Sequence, residues 1–399
     1  MAEKFSKIER AYRILEYLRR NSDREHTVTQ ASLRRNPEIA PYLGDKETYN
    51  DTIVKLAEAL NYDEYAVKPE GSWKIIFDDF KKYYGDPVME DENEDSDSST
   101  MRIRGLYYNH TFSYEEINSL IEAVLFSKTV DTATAESIIE KIEKNLTTKF
   151  YRNSAKHICR VREPENISRA VLKDNLLTIQ QAIDDHVRIS FLFNGYDKHN
   201  KLIPAHRSKD TVSPYYIVAN GGRYYLIACM EREGAQSNRM SIWRIDLMSE
   251  IEIPNRTEKL GIKGIPALPK NKVDHLPQTW SEDFHYTHLN MSFDNPESIR
   301  LRILSPKEDN NSGKAKRADY TFLHDWFGNT FRFIRTEKEN PDYDIVEVRC
   351  SPYAMVNWAL QYSDRVEVLA PETVRNAVVE KINALKKKYI QTGEETHVQ

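Results

Sequence analysis

Residues 213–231 read SPYYIVANGGRYYLIACME. Two runs rich in aromatic and β-branched residues flank Ala-Asn-Gly-Gly, and Asn-Gly tolerates the positive φ of a tight hairpin turn. The stretch therefore reads as a β-hairpin. It carries four tyrosines, Tyr215, Tyr216, Tyr224 and Tyr225, with Arg223 beside the turn. A plain core is served by Val, Ile and Phe; a phenol adds a hydroxyl to a stacking face. From Val187 to Pro254 the polarity alternates with a period of two in five runs, VRISFLF, KLIPAHR, SPYYIVA, RYYLIACM and RMSIWRI. Short strands so closely spaced predict a small, strongly bent barrel of SH3 or Sm type.

Outward from the hairpin the period changes. Toward the N-terminus, Phe5, Ile8, Tyr12, Leu15 and Leu18 recur at helical steps and predict one apolar stripe. DKETYNDTIVKLAEALN is a second helix, with Asp45 as N-cap, Tyr49, Ile53, Leu56 and Leu60 inward, and Lys46, Asn50 and Lys55 outward. TVTQASLRRN precedes it, and YAVKPEGSWKIIF follows as two short strands about a Pro-Glu-Gly turn. Helices followed by a hairpin make a winged helix-turn-helix over residues 1–85. Residues 86–100 are acidic and serine-rich, a linker that buries too little to offset ordering entropy. Residues 101–186 form a helical connector, in which Ser113 and Glu116 make a capping box and Phe112 with Ile117 a staple. The barrel covers 187–255 and an irregular connector 256–290. Residues 291–399 alternate as β-α-β-β-α-β, the ferredoxin-like plan. The fold class is α+β and multidomain.

The 399 residues are 40% hydrophobic and 30% charged, with a net charge of −5. That balance suits a soluble protein and argues against a non-specific, charge-driven coat on nucleic acid. Charge is uneven: residues 1–35 hold nine Lys/Arg against five Asp/Glu, and residues 86–99 seven acids and no base. No apolar run approaches the roughly 20 residues of a membrane span, and the charged N-terminus lacks a signal peptide. Cys159, Cys229 and Cys350 are too scattered for a disulfide framework or zinc knuckle. A cytoplasmic protein with reduced thiols is expected.

The chain resembles the WYL-domain transcriptional regulators of bacterial type. The likeness rests on Ser213-Pro214-Tyr215, the Asn220-Gly221-Gly222 turn, Tyr224-Tyr225-Leu226 at the Trp-Tyr-Leu signature, and WRIDLM (Trp243 to Met248) at the arginine-bearing strand. KETYNDTIVKLAEAL is similar to the family's recognition helix, and VNWALQYSDRVEVLAPETVRNAVVE to the end of its C-terminal extension. The chain departs from the pattern at Tyr224 for Trp, at Leu247 for the second Arg of the strand, and at Asn50 for Arg on the recognition helix. The resemblance implies a winged helix-turn-helix, a WYL barrel that senses a nucleotide or single-stranded nucleic acid, and a ferredoxin-like extension (WCX).

Tyrosine faces joined to arginine cations are what stacks a base and grips a phosphate. The candidate ligand residues are His206 and Arg207 after the second strand, Ser213 and Tyr215 opening the third, Tyr225 in the signature, and Arg239 and Arg244 on the fifth. Alternation sends Tyr224 and Tyr225 to opposite faces, and likewise Arg239 and Arg244 unless a bulge intervenes; Tyr225, Arg239 and Ser213 are favoured for the ligand side. The plainer alternative has the tyrosines filling the barrel and the arginines in surface ion pairs. For double-stranded DNA, Lys46, Thr48, Tyr49, Asn50 and Lys55 lie on the recognition helix. Arg34 and Arg35 precede it, and Lys68 and Lys74 sit in the wing. Tyr49 also starts the apolar stripe. With 15 basic against 15 acidic residues, segment 1–85 is neutral, so a homodimer engaging two half-sites is expected. HYTH (His285 to His288) has metal-like spacing but reads as a surface pair; no phosphate loop, nucleophile elbow or dinucleotide fingerprint occurs. Neither catalysis nor a cofactor or metal is expected. The other reading is an accessory protein that binds single-stranded nucleic acid or a protein partner without an operator.

Overall fold

The computed structural model describes residues 5–63, 66–84, 101–127, 130–158, 169–230, 238–257, 262–306 and 319–390. It divides into two compact units, Met1–Glu163 and Pro164–Gln399.

The first unit opens with α1 (Lys7–Asn21), α2 (Gln30–Arg35) and α3 (Lys46–Asn61). Each begins at a side-chain cap: Ser6, Thr29 and Asp45 accept from the backbone N–H three residues on. β1 (Tyr62–Asp63) pairs with β2 (Ala66–Val67). β3 (Ile75–Ile76) leads into α4 (Asp78–Tyr84) and pairs with β4 (Tyr107–Tyr108). α5 (Tyr114–Phe126) and α6 (Thr132–Leu146) complete the unit. The core gathers Leu18, Leu33, Leu43, Tyr49, Ile53, Trp73, Phe77 and Phe80 with Met101, Leu106 and Tyr107. The buried Asn61 ties α3 to β3: its amide donates to the Ile75 carbonyl at 2.7 Å and its oxygen accepts from Lys74 N at 2.7 Å.

Four expectations are corrected here. The strands at 66–67 and 75–76 do not form one hairpin, because β3 takes β4 as its partner. Residues 101–108 accordingly complete the first core, whereas the sequence assigned them to the connector. On α1, Ile8 is 83% and Tyr12 58% exposed, while Ile14 and Leu18 are buried. At about 100° per residue Ile14 lies about 120° round the helix from Ile8 and about 160° from Tyr12, so the covered face is turned away from most of the proposed stripe and meets it only near Leu18. Phe112 is exposed and does not staple the buried Ile117, although the Ser113–Glu116 capping box is formed. The acidic segment 86–100 lies outside the described residues, as does Cys159.

The second unit opens with α7 (Arg169–Asp184) and continues as β5 (Ile189–Tyr196), β6 (Leu202–Pro204), β7 (Asp210–Asn220), β8 (Arg223–Cys229), β9 (Met240–Arg244) and β10 (Met248–Glu252). These strands form one curled antiparallel sheet in the order β10-β5-β7-β8-β9, with β6 on β5. The sheet is a half-barrel rather than the closed barrel expected: β9 and β10 lie at its two ends. The sixth strand, β10, follows a 3₁₀ turn at Ile245–Leu247 and is not among the five runs read from the sequence. The hairpin turn is as read, with Asn220 opposite Arg223 and positive φ at Gly221 and Gly222, 55° and 75°. One face of the sheet packs with α7 around Phe191, Leu226 and Met248. The other packs on the segment after it around Tyr215, Ile227, Phe284 and Met291.

That segment holds β11 (Arg256–Thr257), β12 (Ile262–Lys263) and the short α8 (Phe284–Thr287). Then come β13 (Glu297–Leu304), α9 (Thr321–Phe327), β14 (Arg332–Thr336), β15 (Tyr343–Cys350), α10 (Pro352–Gln361), β16 (Val366–Ala370) and α11 (Glu372–Tyr389). The four strands form an antiparallel sheet in the order β14-β15-β13-β16, with Leu301, Val346, Met355 and Trp358 in its core.

Candidate functional site

Two neighbourhoods carry the sequence's candidates, one in each unit. In the second unit the register is decisive. Val218 lies opposite Tyr225, and Tyr225 opposite Arg244, so three strands bring these side chains side by side. Asn220 and Arg223 are the next pair on the same face. Tyr224 points the other way and packs with Trp243 on the α7 side, while Tyr225 joins the Phe284 side, as alternation required. Tyr225, Arg223 and Arg244 are all half-buried.

Arg244 is held in a fork by Asp246, with Nε to Oδ1 at 3.1 Å and Nη2 to Oδ2 at 2.6 Å. The paired carboxylate keeps the guanidinium more firmly protonated than usual. Tyr196, at the end of β5, feels Asp246, Arg244 and Arg223 together; burial first, then Asp246, raises its phenol above the ordinary range. The result is a partly sheltered face bearing two phenols and two guanidiniums.

The other ligand candidates do other things. Ser213 is fully buried, and its Oγ accepts from Leu268 N at 2.9 Å. Tyr215 is 6% exposed, and its hydroxyl donates to the Leu268 carbonyl at 2.8 Å. Both fasten the following segment onto the sheet and do not line an open surface. His206 and Arg207 sit in an exposed loop after β6, outside the paired rows of Tyr225 and Arg244. Arg239 is exposed just before β9, where the backbone forms an isolated parallel β-bridge with Asp274. His288, expected at the surface, is buried and stacks on Phe284 at 3.9 Å, while His285 is exposed. No metal-binding cluster occurs among the described residues.

In the first unit, Lys46, Thr48, Asn50 and Lys55 line a concavity of about 1440 Å³ whose other walls carry Lys7, Arg10, Arg102 and Arg104. Tyr49 belongs to the core: it is fully buried, and burial raises its phenol above the ordinary range. Several cations have partners. Lys55 pairs with Asp51 at 2.6 Å, Arg34 donates to the Gly44 carbonyl at 3.0 Å, Lys68 to the Leu60 carbonyl at 3.0 Å and Lys74 to Thr111 at 2.8 Å. Arg35 is exposed. Arg102 and Arg104 were missed because they follow the acidic segment; the alternating MRIRG was the available signal.

A match to the family model described as WYL domain spans residues 174–253, from α7 to the end of the half-barrel. The chain carries a WYL domain. The hairpin, Tyr225 and Arg244 all lie inside it. Solved structures similar to the chain include proteasome accessory factor B/C (PafBC) of Arthrobacter aurescens, 14% identical, with a TM-score of 0.23, covering 72% of this chain and 39% of that one. The chain thus spans well under half the length of that structure. Another is a CRISPR Cas-related protein, 15% identical, with a TM-score of 0.31 and coverage of 86% and 87%. No curated protein matches the chain. No helix among the described residues is long and apolar enough to cross a membrane.

Proposed function

We propose that the chain is a ligand-responsive, sequence-specific DNA-binding transcriptional regulator, cytoplasmic and homodimeric, and a binding protein rather than an enzyme. In this reading residues 1–85, with 101–108 completing their core, are a winged helix-turn-helix with α3 as the recognition helix. The WYL half-barrel is the sensor of a nucleotide or single-stranded nucleic acid, and residues 291–399 are a ferredoxin-like extension. The observation that carries the reading is the register that sets Tyr225 beside Arg244 inside the WYL domain, a stacking face next to a guanidinium that Asp246 holds in place by two of its N–H donors. The strand order β14-β15-β13-β16 with helices after the first and third strands supports the ferredoxin-like assignment. Lys46 and Asn50 at the start of α3, flanked by Arg102 and Arg104, support α3 as the element that meets the duplex. The test is a mobility shift on the DNA upstream of the protein's own coding sequence. Saturable, sequence-dependent binding at moderate salt supports the reading, and binding indifferent to sequence overturns it.

One observation favours the second reading, an accessory protein without an operator. Lys55, Arg34, Lys68 and Lys74 already have partners in their own unit, and cations so engaged contribute less to phosphate contacts. An Arg244→Gln variant separates the two. In a regulator it keeps operator binding and loses the ligand response; in an accessory protein it loses the principal nucleic-acid affinity.

A further inference from the structure

β5 pairs with β7 only over Asp210–Val212, and β8 takes the other edge of β7 from Ser213 to Asn220. Among the described residues, no strand covers the outer edge of β7 from Tyr216 to Asn220. A cavity of about 410 Å³ opens along that edge. All five consecutive residues line it, although Ile217 and Ala219 send their side chains to the opposite face of the sheet. Those two therefore reach the cavity through their backbone. The facing wall is aromatic: Trp280 lies 5.4 Å from the Tyr216 ring and 5.1 Å from Phe284, centroid to centroid. Glu282 and His285 complete the rim.

A bare strand edge offers amide donors and carbonyl acceptors in alternation. Opposite aromatic rings, it suits a flat heteroaromatic ring with a donor beside an acceptor along one side. A nucleobase has both properties. The volume falls in the range of small-ligand sites. Val218 lines the cavity, Tyr225 is opposite Val218, and Arg244 is opposite Tyr225. Two strand spacings, about 10 Å, thus separate the cavity edge from the Arg244 backbone, a gap that a sugar and the arginine side chain together bridge. Asp246 occupies two of the five guanidinium N–H donors of Arg244, which leaves three for a phosphate.

We propose that the cavity between the β7 edge and Trp280 is the base subsite of a nucleotide, or of one nucleotide in a single strand, whose phosphate lies at Arg244. The inference rests on the reading of the WYL domain as a nucleotide sensor and adds the residues that hold the base. Trp280 acts as the stacking platform, and the backbone of residues 216–220 reads the hydrogen-bonding edge.

The test is calorimetric titration of the full chain with AMP, GMP, CMP and UMP, and with ribose 5-phosphate as a probe that lacks the base. At least one mononucleotide should bind about tenfold or more tighter than ribose 5-phosphate, the usual scale of a stacked base. Trp280→Ala should erase that preference while leaving ribose 5-phosphate affinity unchanged, Trp280→Phe should retain most of it, and Arg244→Gln should weaken every probe. The comparison of probes on the unaltered chain needs no variant to fold. A preference that survives Trp280→Ala overturns the base subsite and leaves the sensor reading standing. Failure of the unaltered chain to bind any mononucleotide or a short single-stranded oligonucleotide overturns both.

Discussion

At Gly328, φ is +52°, and a Cβ there would sit 2.5 Å from Cζ of Tyr286. The residue ends α9 and admits the Tyr286 ring from the segment that follows the WYL domain. Gly328→Ala meets both a left-handed backbone and the Tyr286 ring, so a loss of about 2 kcal/mol or more is expected in urea denaturation. His288 makes a different kind of demand. Burial pushes its imidazole below the ordinary value, with the hydrogen bond to the Phe284 carbonyl opposing. The unfolded chain then takes up a proton near pH 6.5 that the folded chain refuses. Stability from this residue is therefore complete above about pH 6.5 and declines as the pH falls toward the folded value. His110, in the other unit, is shifted the same way by burial. His288→Phe keeps a ring on Phe284 and removes the titration, so its urea midpoint should fall less than that of the unaltered chain between pH 7 and pH 5. An equal fall would show that His288 is not the group responsible.

Elements begin where local chemistry says they should. Ser113 accepts from Glu116 N and the Glu116 carboxylate accepts from Ser113 N at 2.8 Å, so α5 starts on a closed pair of bonds. Ser113→Ala should cost about 1 kcal/mol, read from the unfolding of the full chain; a value indistinguishable from zero would mean the end is held by tertiary packing alone. The same locality explains what the sequence disclosed. Asp45, Ser113 and the Asn-Gly-Gly turn satisfy neighbours within four residues, and each was legible. The opposite faces of Tyr224 and Tyr225 followed from alternation. What was not legible depends on partners distant in the chain. Nothing in Ile75–Ile76 announces β4 beyond the acidic segment. Ser213 and Tyr215 looked like ligand groups because a hydroxyl carries no mark of its partner, here Leu268. Trp280 was passed over because the stretch around it lacks any period, although a lone tryptophan among Thr279, Ser281 and Glu282 was a cue to an aromatic wall. On α1, steps of three and four residues suggested a stripe without saying which side the other helices would cover.

Across the whole molecule, the proposal makes one quantitative demand. If a nucleotide on the WYL domain alters operator binding by the first unit, the two affinities are linked. The factor by which the nucleotide changes operator affinity must equal the factor by which operator changes nucleotide affinity. Regulatory couplings of this kind are about 1–3 kcal/mol, or about 5- to 150-fold. Both factors are measurable on one preparation: a fluorescently labelled operator titrated with and without saturating nucleotide, and calorimetry of the nucleotide with and without saturating operator. Salt must be fixed throughout, because the phosphate contacts proposed for Lys46 and its neighbours would respond steeply to it. Arg244→Gln at the same nucleotide concentration should return operator affinity to its ligand-free value, since the contact is made in one unit and read out in the other. Two factors of one, with both ligands bound, would leave the sensor and the head as independent modules, and the accessory reading would then describe the chain better.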